Sequence, residues 1–331
     1  MDFERLVQDY VVWHEVSGHS PKTIAWYRWV LGTFHRWLQT TGRPTTIAHI
    51  TIADVRAFLQ AETHRDTLYP GHAFNVEWPG RLSDRTLHCY AHALRAFFNW
   101  LVAEEYLATT PLGRLKPPKL EKRFKEVLSV AEIERLLTVL NQRTFLGARM
   151  YAMIALLYDS GLRAGELVAL DLQDIHWNEY QTRVKGKGKK ERFVPFSPPT
   201  QRALRKYLVL REPFADQERD ALFLTTDGTR LTAHAVTLAI KRLGKRAGIP
   251  RLHPHLFRHS AAVAYIMNGG DQFGLKRIFG HEQLSTTDGY MDYAQQHLAH
   301  QHKRFSPMAK VTEPRRSAGS RRTKRSNEED Q

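Results

Sequence analysis

The first third of the chain has apolar residues at helical spacing, interrupted by polar segments that predict helix ends. Ser20 followed by a proline is typical of a helix start, with a serine cap and proline at the first helical position. Thr51 predicts a short second helix, and Ser83 begins a longer third one. Between them, residues 63–82 contain two Pro-Gly pairs and are predicted to be a long loop or hairpin. Residues 1–112 are therefore predicted to form a small all-helical domain.

Farther along the chain, further helical segments surround short alternating stretches that predict strands. Ser129 with Glu132 three residues later forms a capping-box pattern, and Gly161 is expected to end a helix that covers residues 150–158. Three short strands follow, with a Gly-Lys-Gly-Lys hairpin turn between the last two, over residues 174–177, 182–185 and 192–196. The predicted fold class is mainly α (α+β). A helical N-terminal domain precedes a mostly helical C-terminal domain, residues 127–305, with a small three-stranded antiparallel sheet.

Two segments lack apolar periodicity and are rich in basic residues. Residues 113–126 are predicted to be a basic interdomain linker, because two adjacent prolines stop any helix and the like charges repel one another. The segment is interpreted either as a strap along DNA or as a solvated tether. Its candidate DNA contacts are Lys116, Lys119, Lys122 and Arg123. Residues 306–331 are predicted to be a disordered basic tail.

The overall charge favours a polyanionic partner. The 331 residues include 49 lysines and arginines against 34 acids, which gives a formal net charge of +15. Such an excess is typical of proteins that displace counterions from phosphates, although a surface tuned for solubility would carry the same charge. Lys22 and Arg28, on the polar face of the helix after Ser20, are therefore candidate DNA contacts.

Cysteine content and hydropathy exclude several classes of protein. Cys89 is the single cysteine, which excludes an intramolecular disulfide and a cysteine-built zinc site. The longest apolar run, residues 150–158, has nine residues, whereas a membrane-spanning helix needs roughly 20. The acidic N-terminus lacks the pattern of a secretory signal. We therefore expect a cytoplasmic protein with no membrane partner and no metal site.

Four short motifs carry the candidate chemistry, although each has an ordinary structural explanation when taken alone. The ordinary explanations are an arginine that pairs with Glu166 at a helix junction, a solvated hairpin lysine, a His-x-x-Arg pair on one helix face, and a buried histidine followed by a packing tyrosine. The candidate catalytic residues in these motifs are Arg163, Lys187, His255, Arg258, His281 and Tyr290.

Taken together and in order, the motifs resemble those of the tyrosine site-specific recombinases, the phage integrase group. The matching stretches read SGLRAGEL from Ser160, GKGKKERFVP from Gly186, HLFRH from His255 and GHEQLSTTDGY from Gly280. The resemblance extends over residues 1–305. It implies that the N-terminal domain is a helical core-binding (SAM-like) DNA-binding domain and that the C-terminal domain is catalytic.

The resemblance also implies the roles of the reacting groups. Tyr290 would attack a DNA phosphate and form a 3′-phosphotyrosyl intermediate, and a phenol suits a nucleophile that must later leave. Tyr293 is the competing tyrosine three residues on. His255 would be the general base and Lys187 would protonate the departing 5′ oxygen. His281 would donate a hydrogen bond to a non-bridging oxygen.

Arg163 and Arg258 would stabilise the charge of the pentacoordinate transition state, because each guanidinium can bind two phosphate oxygens. Glu166 is interpreted as a buried residue that orients the arginines. The hairpin residues expected to touch phosphates are Lys185, Lys189, Lys190 and Arg192. Because the phosphotyrosyl bond conserves the energy of the cleaved bond, we expect no ATP, no metal ion and no other cofactor.

The expected partner is double-stranded DNA, in a nucleoid-associated setting. The resemblance implies a tetramer on paired sites, formed from monomers or dimers, with accessory DNA-bending or directionality factors as further partners. Integrases, dimer resolvases and transposon recombinases share these motifs, so the process served and the target sequence stay open.

Three other functions compete with a recombinase. A metal hydrolase is suggested by His255 and His259 at helical spacing, but Leu256 occupies the position of the catalytic glutamate in zinc proteases. A type IB topoisomerase shares the chemistry that the resemblance implies. A catalytically idle DNA-binding protein is the third alternative, which the six intact polar positions argue against.

Overall fold

The computed structural model describes residues 2–68, 78–120, 126–186, 191–215 and 218–280, together with residues 302, 306 and 308. Contacts divide the chain into two compact units, Met1–Arg123 and Phe124–Gln331, which we call the N-terminal and C-terminal units. The predicted linker at residues 113–126 and the tail after residue 305 stay predictions. No helix in the described ranges is long and apolar enough to span a bilayer.

The N-terminal unit is built from helices that begin where polar caps predict them. They are α1 (Phe3–Val16), α2 (Pro21–Thr40), α3 (Ile52–Thr63) and α4 (Asp84–Ala103). The hydroxyls of Ser20, Thr51 and Ser83 each accept a backbone N–H at the start of a helix, which confirms the three predicted starts. Between α3 and α4, β1 (Thr67–Leu68) pairs with β2 (Trp78–Pro79) in antiparallel fashion. The segment predicted as a loop or hairpin therefore contains a short strand pair.

Aromatic rings fill the core of this unit. Phe3 contacts the rings of Phe34 and Phe97 edge to face, with centroids 5.7 and 5.3 Å apart. Phe97 also lies beside Phe98 and Trp100, at 5.7 and 6.0 Å. Such pairs contribute beyond the area that they bury. The apolar faces of three helices thus meet in one ring cluster.

The C-terminal unit combines seven α-helices, within the described residues, with one small sheet. The helices are α5 (Val130–Thr138), α6 (Phe145–Ser160), α7 (Ala164–Ala169), α8 (Pro198–Arg211), α9 (Ala233–Arg246), α10 (Pro254–Met267) and α11 (Gln272–Phe279). The strands are β3 (Ile175–His176), β4 (Gln181–Lys185) and β5 (Glu191–Pro195), paired antiparallel in that order. The predicted fold class, mainly helical with a three-stranded antiparallel sheet, is confirmed.

Local signals in this unit also match the structure. Ser129 and Glu132 form the predicted capping box at the start of α5. Gly161 ends α6 in the left-handed conformation, with φ at 62°. Helix α6 begins earlier than the predicted helix over residues 150–158, because the Thr144 hydroxyl caps it at Gly147. Buried leucines, isoleucines and valines from α6, α8, α9 and the sheet form the core of this unit.

Candidate active site

Arg163 lies at the junction that follows α6. The chain turns at Gly161, and Arg163 is the residue from which α7 begins. Its backbone N–H donates to Glu166 Oε2 at 2.9 Å, and its Nη1 donates to Glu166 Oε1 at 2.8 Å. The Arg163 side chain is 41% exposed, whereas that of Glu166 is 8% exposed. Arg163 therefore forms the ordinary pair with Glu166, and the Arg163 side chain stays accessible to a ligand.

Arg258 is buried on α10 and links two chain segments. The residue is 3% exposed. Its Nη1 donates to the carbonyl oxygen of Gly161 at 2.5 Å, and its Nη2 donates to that of Phe279 at 2.7 Å. Its guanidinium carbon also lies 4.3 Å from the centroid of the Phe279 ring. Arg258 thus brings the end of α6, two residues before Arg163, to the end of α11.

Gly161 is required at this contact for two reasons. Its φ of 62° is strained for any residue with a Cβ atom. A Cβ built there would also lie 2.3 Å from the Phe279 ring, and Phe279 is only 2% exposed. The glycine of the first motif therefore makes room for the ring that packs on the arginine of the third motif.

His255 lies in the first turn of α10, one turn before Arg258, and its side chain is exposed. Incomplete hydration of the ring, together with the positive charges of Arg258, His253 and Arg163, lowers its pKa below the usual 6.5, against an opposing effect of Glu166. His255 is therefore near enough to both arginines for their charges to act on its ring. A lowered pKa keeps the imidazole neutral at pH 7, the form that can accept a proton.

Glu166 is shared by two arginines. Arg192 on β5 donates from Nη1 to Glu166 Oε1 at 3.0 Å and from Nη2 to Glu166 Oε2 at 3.1 Å. Burial raises the pKa of the carboxyl, but the hydrogen bonds from Arg192 and from the backbone of Arg163 outweigh it, so the pKa is lowered. Glu166 is therefore an ionised, buried residue that orients the arginines, as the sequence interpretation proposed.

Arg192 occupies a position that the sequence interpretation did not foresee. It was predicted to touch DNA phosphates, yet its side chain is 15% exposed and its donors are directed at protein groups. Besides Glu166, its Nε donates to the carbonyl oxygen of Ile278 at 2.9 Å. These bonds leave the predicted phosphate contact without support among the described contacts.

The other predicted site residues divide into two groups. Those within the described residues are exposed on the surface and stay predicted DNA contacts: Lys22, Arg28, Lys116, Lys119 and Lys185. The remaining predicted residues lie outside the described residues: Lys122, Arg123, Lys187, Lys189, Lys190, His281 and Tyr290. The structure thus brings together Arg163, His255 and Arg258 of the predicted catalytic set.

Helix α9 adds basic residues that the sequence interpretation missed. Lys241, Arg242, Lys245 and Arg246 are all exposed on it. Partial burial and, next, the charge of Lys241 lower the pKa of His253, the residue that caps α10. Lys241 is therefore near the start of the helix that carries His255. The signal was available as two Lys-Arg pairs four residues apart, a spacing that places them on adjoining parts of one helix face.

The histidine pair of the metal-hydrolase alternative is only a pair. The rings of His255 and His259 are stacked, with centroids 6.3 Å apart. Across the described part of the chain, no group of three or more His, Cys, Asp or Glu side chains is arranged to hold a metal ion. The three ligands typical of a catalytic zinc site are therefore not assembled there.

Two family models match the chain. The model described as "Phage integrase family" matches residues 126–297, and "Phage integrase, N-terminal SAM-like domain" matches residues 13–105. Together they extend over both units.

Named relatives and solved structures point to the same family as the two family models. Tyrosine recombinase XerC of Oceanobacillus iheyensis is 31% identical over 297 residues, which cover 88% of this chain and 92% of the relative. Tyrosine recombinase XerD of Listeria monocytogenes is 30% identical over 312 residues, with coverages of 92% and 99%. The fold is similar to that of the XerH site-specific recombinase bound to palindromic difH substrate, in a post-cleavage complex. That match has a TM-score of 0.69, 22% identity and coverages of 86% and 80%. It is also similar to the Tn1549 transposon integrase in complex with transposon right end DNA, with a TM-score of 0.68, 18% identity and coverages of 91% and 99%.

The family models and the named relatives identify an enzyme of the tyrosine recombinase class, which cleaves and rejoins DNA. The chain belongs to the phage integrase family, as its motifs predicted. The predicted activity, cleavage and rejoining of DNA in site-specific recombination, is confirmed at the level of the family.

Proposed function

We propose that this chain cleaves one strand of duplex DNA at a specific site through Tyr290 and rejoins it to a second strand. The observation that carries the proposal is the proximity of Arg163, His255 and Arg258: Arg258 binds the carbonyl of Gly161, two residues before Arg163, and lies one turn after His255 on α10. The chain that follows this cluster enters the predicted Gly280-His281 motif, because Arg258 binds the carbonyl of Phe279. Three of the six predicted catalytic residues are thus brought together from two separate motifs.

The arginines would stabilise the transition state. A phosphodiester resists attack because its non-bridging oxygens repel nucleophiles and gain charge as the phosphorus becomes pentacoordinate. Arg163 and Arg258 carry permanent positive charge, and Arg258 is buried away from water, where such a charge acts most strongly. Their prior attachment to Glu166 and to backbone carbonyls means that little reorganisation is needed when the phosphate binds.

The protons balance without a cofactor. Tyr290 Oη would attack phosphorus while its proton passes to His255, whose lowered pKa leaves the ring neutral. The bond to the 5′ oxygen breaks, and Lys187 would protonate that oxygen. A 5′-hydroxyl from the partner strand then attacks the phosphotyrosyl bond, and the two proton transfers run in reverse. His281 would donate to a non-bridging oxygen throughout.

Both units would contact the duplex. The exposed cations of α2, Lys22 and Arg28, support a DNA-binding role for residues 1–112. The basic linker, residues 113–126, and the tail, residues 306–331, would add phosphate contacts. Strand exchange between two sites needs four active centres, so we propose a tetramer on paired sites that assembles from monomers or dimers. Accessory DNA-bending or directionality factors would select the direction of the reaction.

A capture experiment tests the nucleophile and finds the target. The wild-type protein is incubated with fragmented genomic DNA and then denatured. The DNA that remains covalently attached to it is sequenced. Nicked duplexes that carry the captured sequence then measure the rate of adduct formation. Tyr290→Phe should bind these duplexes and form no adduct, and Tyr293→Phe is the matched control that should react.

The outcomes separate the competing functions. Adduct formation by Tyr290→Phe but not by Tyr293→Phe would reassign the nucleophile. Loss of cleavage in excess EDTA would favour a metal hydrolase. Relaxation of supercoiled DNA with no sequence preference in the captured fragments would favour a topoisomerase, and an absence of any adduct would favour an idle DNA-binding protein.

A further inference from the structure

Arg192 is the one residue of β5 whose side chain reaches two other motifs of the site within the described contacts. It lies opposite Val184 in the β4–β5 pairing, on the strand that follows the predicted hairpin of Lys187. Its Nη atoms bind both oxygens of Glu166, and its Nε binds the carbonyl oxygen of Ile278. Ile278 lies in the last turn of α11. The three donors are therefore directed to two places, one beside Arg163 and one before Gly280.

The bond to Glu166 controls the charge that Arg163 presents. A carboxylate has about four acceptor sites, and Glu166 accepts four hydrogen bonds, two from Arg163 and two from Arg192. One negative charge is therefore shared between two guanidiniums. Without Arg192, Glu166 would pair with Arg163 alone and neutralise it, because opposite charges at hydrogen-bond distance interact most strongly.

The bond to Ile278 fixes the end of α11. The carbonyls of Ile278 and Phe279 are neighbours, and they accept from Arg192 and from Arg258 respectively. Gly280 follows with φ at 62°, and a Cβ there would lie 3.1 Å from Arg192 Nε. The chain therefore leaves α11 toward His281 from a point that the Arg192 side chain defines.

We propose that Arg192 is a positioning residue for the recombination reaction, which holds Arg163, the base of the hairpin and the entry to His281 in one geometry. This inference rests on the function proposed above. It replaces the predicted phosphate contact, since Arg192 would act through Glu166 and Ile278 and would not touch the DNA. An arginine is needed because only a guanidinium can bind the two carboxylate oxygens and a third acceptor from one plane.

The test compares Arg192→Gln with Arg183→Gln. Arg183 lies on the neighbouring strand β4 and binds Asp174 at 2.8 Å, so it is a matched arginine–carboxylate pair away from the pocket. Single-turnover adduct formation is measured at saturating protein on a nicked duplex with the captured sequence. Arg192→Gln should lower this rate by about 10- to 100-fold, as small displacements of catalytic groups do. Arg183→Gln should react at close to the wild-type rate.

Affinity measurements distinguish positioning from phosphate contact. The dissociation constant of Arg192→Gln should keep the salt dependence of the wild type. A lower slope of log affinity against log salt, smaller by about one, with a normal rate at saturation, would identify a phosphate contact and overturn the proposal. Equal rates for the wild type and Arg192→Gln, with equal affinities, would also overturn it.

A double variant separates positioning from simple loss of packing. Arg192→Gln leaves Glu166 to neutralise Arg163, so the addition of Glu166→Gln should cost less in this background than in the wild type. The two losses should therefore combine to less than their product, whereas independent packing losses would multiply. Multiplicative losses would overturn the proposal.

Two further comparisons close the test. If Arg192→Gln does not fold, Arg192→Lys keeps the charge without the fork and should still react more slowly than the wild type; a wild-type rate would overturn the proposal. Adduct formation by the wild type with no effect of Arg192 would disprove this inference alone. No adduct from the wild type would overturn both this inference and the proposed function.

Discussion

The two units bury charge in different ways. In the N-terminal unit the buried acids Asp54 and Glu62 are paired with Arg43 and Arg65, so the acid is inside and its partner is nearer the surface. The C-terminal unit has such pairs as well, Glu166 with Arg163 and Asp174 with Arg183, but in addition it buries an arginine, Arg258, that donates to backbone carbonyls. Carbonyls carry no net charge, whereas carboxylates neutralise their partners. The two carbonyls that hold Arg258 therefore do not neutralise its charge.

The cores of the two units also differ in composition. Aromatic rings fill the core of the N-terminal unit and pack its helices against one another. Aliphatic side chains dominate the C-terminal unit and support polar residues at its edge. The N-terminal core is mainly a cluster of packed rings, whereas the C-terminal core also supports the charged residues of the candidate site. The predictions below test this contrast, beginning with the largest expected effect.

Exchange of the buried arginine should have the largest effect. Arg258→Lys should slow adduct formation by about 100- to 1000-fold, the typical cost of losing a transition-state donor. It should also destabilise the C-terminal unit by about 1–3 kcal/mol, because a lysine cannot reach both carbonyls. Arg163→Lys is the control, since its side chain is 41% exposed and should affect rate more than stability. Equal losses of unfolding free energy in the two variants would contradict the contrast.

Removal of a central ring should act on the other unit. Phe97→Ala should cost about 3–5 kcal/mol of the unfolding free energy, the usual cost of deleting a buried aromatic side chain. Six of the seven tryptophans lie in residues 1–123, so tryptophan fluorescence reports mainly on the N-terminal unit. Leu204→Ala, in the aliphatic core, is the matched control and should leave that signal unchanged. A shift of the fluorescence transition by Leu204→Ala would show that the units unfold together.

Addition of a methyl group at Gly161 should lower both the stability of the C-terminal unit and the rate of adduct formation. Gly161→Ala should destabilise the C-terminal unit by about 2–4 kcal/mol, from the left-handed backbone and the overlap with Phe279. It should also slow adduct formation, because Phe279 packs on Arg258. Gly165→Ala, in α7, is the control: a Cβ there meets nothing within 4 Å. A neutral Gly161→Ala, measured by chemical denaturation, would contradict the role of this contact.

The proposed role of His255 as general base leads to a prediction of how the rate depends on pH. Only a neutral imidazole can accept a proton, and the pKa of His255 is lowered by partial burial and by Arg258. The rate should therefore be constant near pH 7 and fall only when the pH drops below 6.5 and reaches this lowered pKa. Single-turnover rates measured over a range of pH would record this fall on the acid side, and His255→Gln should flatten it. An acid limb centred above 6.5 would contradict the assignment.

A buried histidine of the N-terminal unit, His14, should make the stability of that unit depend on pH, and this effect should be the smallest of those predicted here. His14 is 3% exposed, and neither ring nitrogen has a hydrogen-bond partner among the described residues. Burial and, next, His19 lower its pKa. The fold therefore favours the neutral ring, so the unfolding free energy is fully present above pH 6.5 and declines as the pH falls from there toward the lowered pKa. His14→Phe should reduce this decline; an unchanged decline would assign it to other groups.

Local signals predicted most of the helical fold. Ser20, Thr51, Ser83 and Ser129 each begin a helix, because a side-chain oxygen that accepts an N–H is a short-range interaction visible in the sequence. Helix α1 was not predicted, although Asp2 caps it and Phe3, Leu6 and Tyr10 have helical spacing. The bounds of the three predicted strands match those of β3, β4 and β5 to within one residue. The small differences arise because the pairing between strands, and not the propensity of single residues, decides where a strand begins and ends.

The site was predicted less completely, for a physical reason. Arg163, His255 and Arg258 could be named from motifs, since each motif is a few residues long, and their catalytic roles stay predictions. The role that we propose for Arg192 depends on its bond to Ile278, 86 positions away in the sequence, and on its place in β5. No local pattern distinguishes an arginine that binds a phosphate from one that binds a carboxylate, because both acceptors offer a pair of oxygens to the guanidinium.

The carboxyl end of α11 has a consequence for the approach of DNA. The end of a helix concentrates about half a negative charge, which repels phosphate. Here Arg192 and Arg258 donate to the last two carbonyls, so guanidinium groups offset the partial negative charge at this end. The cations that anchor the helix therefore also weaken the repulsion that its carboxyl end would exert on an approaching anion.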